Sequence, residues 1–300
     1  MSNHLIRTRD LERQWIEGEL FPLCDRIRDG APVEQALQGR SLYCLFYEPS
    51  FLTRASFERA MALLGGDAQH TEDASQFFPV RTTTFIENTM RFLESLHFDV
   101  VVLRSQQPGA AEQAAEAGGL AVINGGSPED HPTQALLDLY TLNRELGGID
   151  GLNISFLGRL DHRNVNALLT ALAMYDNVSV HLVPVTGQAD QDTIDYCTSA
   201  GISFTQGTSL AELAGSLDAV YVNGAGTPGH AELVRSRNIV EAKVDRDLLA
   251  ALKPGCVILD PMQRSDLIIE ETSDPRWAGY RQAENGLYVR MALLMKLLGK

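Results

Sequence analysis

The chain has 300 residues, 44% of them hydrophobic, and a formal net charge of −14. That length and composition supply a substantial core and predict two domains of ordinary size. A surface this acidic repels nucleic acid and anionic membranes and excludes both as partners, so an anionic substrate needs a local cluster of Arg or Lys.

In chain order, MSNHLIRTRDLERQWIE is charged and lacks a signal-peptide core, and no apolar run reaches the length of a membrane span. The first expected strand is SLYCLFY (41–47), followed by a helix over 53–64. A helix over 83–96 leads to FDVVVLR (98–104), and one over 110–117 leads to LAVINGG (120–126). A long helix follows over 131–146. The second half repeats the alternation: NISFLG (153–158), a helix over 163–175, SVHLVPV (179–185), a helix over 190–200, and AVYVNG (219–224). The segment GTPGHAELVRSRNIVEAK (226–243) reads as a loop plus a helix. A helix over 246–252 precedes CVILDPM (256–262), and NGLYVRMALLMKLLG (285–299) is a strongly apolar terminal helix.

Most of these strands are near-continuous apolar runs, which suits parallel sheets buried on both faces. Their alternation with helices predicts an α/β fold of doubly wound parallel sheets. Three glycines in ELGGIDGLNISF mark a seam near 147–151. The expected domains are 1–147, rejoined by the terminal helix 285–300, and 148–284. The four cysteines, Cys24, Cys44, Cys197 and Cys256, form no C-x-x-C pair. They read as buried reduced thiols of a soluble cytoplasmic protein, with no metal site and no disulfide framework.

Several strand ends carry chemistry. In FYEPSFLTRASF, Ser50 and Thr53 stand at a helix entry, where unpaired N–H groups and the positive dipole end favour an anion, and Arg54 adds a cation. The plainer reading is an ordinary cap beside solvated charges. Arg104 ends FDVVVLR, at the sheet edge where open α/β proteins bind ligands; it serves either a ligand or a salt bridge. In INGGSPEDHPTQALLDLYTL, His131 and Gln134 are three apart on the first turn of a helix that Pro132 opens, so both can face one site. Asp138, one turn on, is placed to orient neighbours. FLGRLDHRN clusters Arg159, His162 and Arg163, which suits a carboxylate held bidentately or a solvated turn. LDPMQR puts a proline turn at another strand end, where a backbone carbonyl can accept from a ligand amide.

Together, FYEPSFLTRASFERAMALLG, VVLR, HPTQALLDLYT, the turn with Arg163, DPMQR and QAENGLYVRMALL span nearly the whole chain. They resemble the aspartate/ornithine carbamoyltransferases, the aspartate branch more than the ornithine branch. The resemblance implies two α/β domains joined by interdomain helices: a carbamoyl-phosphate-type domain and an acceptor domain. It implies a homotrimer with active sites shared between neighbours, small-molecule substrates, and no metal or organic cofactor. Thr53, Arg104 and His131 then hold the carbamoyl oxygen, Gln134 and the Met262 region the carbamoyl nitrogen, and Arg163 an acceptor carboxylate. Arg290 matches an arginine near the family's C-terminus.

The departures are specific. The family's Ser-Thr-Arg-Thr-Arg loop is Ser50-Phe51-Leu52-Thr53-Arg54, so a hydroxyl and a guanidinium of the donor-binding loop have become apolar. SQFFPVRTTTF lacks the neighbour-donated lysine, with Arg81 offset as a stand-in. Gly224 and Gly226 occupy the positions of an acceptor-binding Arg-x-Gln. Asp260-Pro261-Met262-Gln263 replaces a His-Pro-Leu-Pro turn, which leaves Met262 and Gln263 lining the acceptor side. From these departures the expected function is carbamoyl transfer to an amine of a carboxylate-bearing acceptor other than aspartate. Two alternatives stand beside it: a carbamoyl-pocket enzyme that no longer uses carbamoyl phosphate, with another donor or a ureido substrate, and a non-catalytic paralogue.

Overall fold

A computed structural model describes residues 4–71, 73–74, 85–224, 243–262, 269 and 272–299. The chain divides into two compact units, Met1–Leu136 with Glu284–Lys300, and Leu137–Ala283.

The first unit contains β1 (His4–Leu5), α1 (Arg13–Trp15), α2 (Phe21–Arg28), β2 (Ser41–Phe46), α3 (Phe51–Leu63) and β3 (Asp67–Thr71). It continues through α4 (Phe85–Ser95), β4 (Val100–Arg104), α5 (Ala110–Glu116), β5 (Ala121–Asn124) and the start of α6 (Pro132–Leu146). Its described strands form one parallel sheet in the order β1-β5-β4-β2-β3. Every residue of β4 and β5 is buried, as the unbroken apolar runs predict. One face packs Val101, Leu103 and Val122 against Ile86, Met90 and Leu93 of α4 and Ala110 and Ala114 of α5.

The second unit contains β6 (Asn153–Arg159), α7 (Arg163–Leu172), β7 (Ser179–Thr186), α8 (Gln191–Ser199), β8 (Ser203–Gln206), α9 (Leu210–Leu213) and β9 (Ala219–Asn223). It ends with α10 (Arg246–Ala251), β10 (Val257–Leu259) and the first residues of α11 (Gly279–Leu298). Its sheet is also parallel, in the order β10-β9-β6-β7-β8. Val220, Val222 and Ile258 pack against Leu210, Leu248, Leu249 and Trp277. The doubly wound α/β class expected for both halves is what the two sheets show.

In each sheet the winding reverses once, between β2 and β4 in the first and between β6 and β9 in the second. Ligands of open α/β sheets bind in the crevice at such a reversal, outside the carboxyl ends of the strands. Cys24 and Cys44 are buried in the first unit, and Cys197 and Cys256 in the second, all as free thiols. Burial pushes the Cys256 thiol up to about 12 and raises Cys24 and Cys44 as well.

Candidate active site

The two reversal points collect most of the chemistry-bearing residues. In the first unit, β2 and β4 run in register up to Phe46 against Arg104, so the 47–50 loop leaves the sheet beside that arginine. Arg104 is buried; its Nη1 donates to the Gly125 carbonyl at 3.1 Å and its Nε lies 3.1 Å from a Glu48 carboxylate oxygen. The salt-bridge reading of Arg104 is observed, with the cation at the carboxyl edge of the sheet. Glu48 had no signal in the sequence beyond its place in a turn.

Helix α3 starts at Phe51, two residues earlier than predicted, and Thr53 lies inside its first turn and is buried. Ser50 takes the N-cap position with extended backbone, φ −150° and ψ 103°, but its side chain makes no cap hydrogen bond. The ordinary-cap reading fails on that point, and the first intrahelical bond is Arg54 N–H to the Ser50 carbonyl, 3.2 Å. The N–H groups of Phe51, Leu52 and Thr53 therefore point out of the helix end with no helical carbonyl to serve, an anion-binding arrangement. Phe51 and Leu52 direct apolar side chains outward, 74% and 43% exposed. Arg54 lies 4.0 Å from Glu58, whose carboxylate also meets His70 Nδ1 at 2.5 Å.

Past β5, Gly125 lies close to the sheet: a Cβ there would come within 2.8 Å of the Val102 side chain, so only glycine fits. The turn is closed by Asp130, whose carboxylate accepts from Thr8 N–H and Thr8 Oγ1, both 2.6 Å, and from His131 N–H, 2.7 Å. Burial raises the Asp130 carboxyl above its usual range, against those three donors. His131 is buried just ahead of α6, with Thr133 Oγ1 at 3.3 Å from Nδ1. Gln134 is half-buried on the first turn, as its spacing predicts.

In the second unit the charged turn separates into three roles. Arg159 pairs with Asp161 at 2.8 Å, His162 caps α7 through Nδ1, and Arg163 is buried at the first position of α7. A solvated turn describes only the first of these. Gly158, φ 113°, lets β6 pass β9, since a Cβ would sit 2.8 Å from the Asn223 carbonyl. Asn223 donates from Nδ2 to the Arg159 carbonyl at 2.7 Å, and its buried Oδ1 has no hydrogen-bond partner among the described residues. Gly224 is buried beside it and accepts Arg159 N–H at 3.2 Å.

Met262 follows β10 in the left-handed region, φ 62°, and is 44% exposed. A buried network that only long-range contacts reveal stands behind it. Asp138 accepts from Tyr221 Oη at 3.0 Å and from Gln282 Nε2 at 2.6 Å. Gln282 Oε1 accepts Asp260 N–H at 2.7 Å, and Asp260 Oδ1 accepts Met262 N–H at 2.8 Å. Burial and the Asp138 carboxylate push the Tyr221 hydroxyl well above its ordinary value. Arg81, Gly226 and Gln263 lie outside the described residues, as does nearly all of the 226–243 segment. No group of three or more His, Cys, Asp or Glu able to hold a metal occurs among the described residues, and no helix there is long and apolar enough to cross a membrane.

Residues 3–144 match the family described as aspartate/ornithine carbamoyltransferase, carbamoyl-P binding domain, and residues 150–297 match its Asp/Orn binding domain. The chain is similar to the chloroplastic aspartate carbamoyltransferase of Oryza sativa subsp. japonica, 39% identical over 90% of this chain and 76% of the relative. It is 38% identical to the aspartate carbamoyltransferase catalytic subunit of Cenarchaeum symbiosum, over 99% and 96% of the two chains. Among solved structures, Trypanosoma cruzi aspartate transcarbamoylase in complex with carbamoyl phosphate and aspartate superposes with a TM-score of 0.85. That match is 30% identical and covers 97% of this chain and 94% of the other. The chain belongs to the aspartate/ornithine carbamoyltransferase family.

These relatives overturn the expectation of an acceptor other than aspartate. Full-length relatives near 38% identity bear the name aspartate carbamoyltransferase. A few loop positions do not decide the acceptor, because other residues can take over their contacts. Side-chain substitutions also leave the outward N–H groups at the start of α3 in place.

Proposed function

We propose that this family member is a cytoplasmic aspartate carbamoyltransferase. The amino group of L-aspartate attacks the carbamoyl carbon of carbamoyl phosphate, the tetrahedral oxyanion collapses, phosphate leaves, and one proton is released from the nitrogen. Thr53, Arg104 and His131 hold the carbamoyl oxygen as charge develops on it, Gln134 and the Met262 turn hold the carbamoyl nitrogen, and Arg163 grips an acceptor carboxylate. Acceleration then comes from positioning and from donors fixed before the reaction begins. The observation that carries this reading is Arg104: a buried guanidinium at the reversal point of the first sheet, paired with Glu48 of the loop that leads into α3.

The phosphate of the donor is gripped differently from the family pattern. Ser50, the N–H groups of Phe51, Leu52 and Thr53, and Arg54 form the cradle, with no hydroxyl or guanidinium at positions 51 and 52. Each missing charge-assisted hydrogen bond is worth roughly 1.5–3 kcal/mol, so the donor binds weakly unless a neighbouring subunit's loop contributes. Arg81 in a homotrimer is that contribution in this reading. On the acceptor side, Gly224, Gly226 and Gln263 leave the second aspartate carboxylate to other groups.

The test is direct. Purified protein with carbamoyl phosphate and L-aspartate is expected to form N-carbamoyl-L-aspartate and phosphate in equal amounts, at a donor concentration well above that of a Thr-Arg loop enzyme. Phosphate release that does not depend on aspartate would sink the reading. Sedimentation at a mass other than three chains would remove the trimer.

A further inference from the structure

We infer that Asp138 and Gln282 are positioning residues that fix the Asp260–Met262 turn for the amino group of the donor; the inference rests on the role given above to Met262. A residue with a side chain seldom adopts φ 62°, and holding it there requires surroundings that over-determine the backbone. Here they do. Met262 N–H is bound by Asp260 Oδ1 at 2.8 Å, and Asp260 N–H is bound by Gln282 Oε1 at 2.7 Å. Gln282 in turn donates to Asp138 at 2.6 Å.

The order of these bonds carries the argument. A glutamine amide offers one acceptor and one NH2, and nothing intrinsic decides which way it faces. Both Asp138 oxygens accept, one of them from Nε2, which leaves Oε1 toward Asp260. Tyr221 Oη, 3.0 Å away, occupies the other carboxylate oxygen. Asp138, Gln282 and Asp260 are 0%, 2% and 5% exposed, whereas Met262 is 44% exposed. A buried polar chain therefore ends on one exposed, left-handed residue at a strand's carboxyl edge. Packing does not account for it, because well-packed apolar side chains fill such a volume with equal or greater stability. What the chain specifies is the direction of a short stretch of backbone, and backbone carbonyls there recognise N–H donors.

Acetyl phosphate carries a methyl where carbamoyl phosphate carries the amino group, and so isolates that contact. Both are titrated calorimetrically into wild type and Gln282→Met. The substitution is expected to weaken carbamoyl phosphate roughly tenfold, one hydrogen bond's worth, and to leave acetyl phosphate within about twofold. A merely structural role lowers the unfolding temperature and moves both ligands alike, and an unchanged ratio of the two affinities overturns the inference. Asp138→Asn keeps an amide's acceptor and is expected to shift the ratio in the same sense but less; it replaces Gln282→Met if that variant fails to fold. Gln282→Glu places two carboxylates together that must share a proton, so its ratio is expected to return toward wild type as pH falls; no recovery counts against the inference. If wild type binds neither ligand, the reading of the site fails first, a result distinct from wild type preferring carbamoyl phosphate and every variant keeping that preference.

Discussion

The two sheets reverse direction in the same way but satisfy the polar groups at their reversal points differently. At the first, a full cation, Arg104, is buried against Glu48 and the Gly125 carbonyl, while apolar Phe51 and Leu52 face outward beside it. At the second, Gly158 brings two backbones together, Asn223 presents an oxygen with no hydrogen-bond partner among the described residues, and Arg163 is buried at a helix start. The first therefore answers its buried cation with a carboxylate and a carbonyl, and the second adds a close backbone approach and a directed amide to its own cation. One architecture serves both because the loops leaving the strand ends set the chemistry, while the sheet only sets where they begin.

Substitutions that remove the distinguishing group test this contrast, and the largest effect belongs to Arg104. Arg104→Ala is expected to lower kcat by about a hundred- to a thousandfold and to cost about 2–3 kcal/mol in denaturant unfolding, because the buried guanidinium's contacts to Glu48 and the Gly125 carbonyl are lost. Equal activity would mean that the first reversal point is not the charged one. Next, Phe51→Thr with Leu52→Arg gives the first site the side-chain grip it lacks. Carbamoyl phosphate affinity is expected to rise by about one to two orders of magnitude, read by isothermal titration. Gly158→Ala strikes the second site: with φ at 113° and the Asn223 carbonyl 2.8 Å from the new Cβ, it is expected to cost about 1–3 kcal/mol. Thermal unfolding measures this.

The smallest effect is Tyr221→Phe, about 1 kcal/mol at neutral pH, with a signature in alkali. The folded state raises the hydroxyl of Tyr221 well above its ordinary 10.0 and that of Tyr47 to about 12, so each holds its proton more tightly than the unfolded chain does. The stability they add is whole below about pH 10 and is lost as pH rises from there toward the folded values. Cys24, Cys44 and Cys256 start the same decline lower, from 9.0. Tyr221→Phe is expected to flatten the upper part of that fall, seen as a shallower drop in unfolding midpoint above pH 10. An unchanged slope would show that Tyr221 ionises freely.

The central strands were legible because burial on both faces leaves a continuous apolar signature: FDVVVLR contains β4 and AVYVNG contains β9. The edge strands were not. β1 is two residues long, and β3 (DAQHT) and β8 (SFTQ) are polar and largely exposed, held by register against β2 and β7 rather than by their own pattern. Of the candidate site residues, Arg104, His131, Gln134 and Arg163 are legible because they stand at strand ends or helix starts. Glu48, Asn223, Asp260 and Gln282 are not, since their roles come from partners elsewhere in the chain; Gln282 and Asp138 are 144 residues apart. Helix α3 begins at Phe51 rather than at the expected Thr53, because the backbone of a helix N-terminus accepts almost any side chain.

The four buried thiols give the protein built-in clocks. Each unit carries two cysteines, and no described cysteine reacts from the surface. Modification by a thiol reagent therefore waits for an opening, and its rate counts how often that opening occurs. Cys44 on β2 reports the strand that leads into the 47–50 loop, and Cys256, just before β10, reports the strand that leads into the Met262 turn. Timing the two in one sample, with and without donor, would show which sheet edge a bound ligand quiets first.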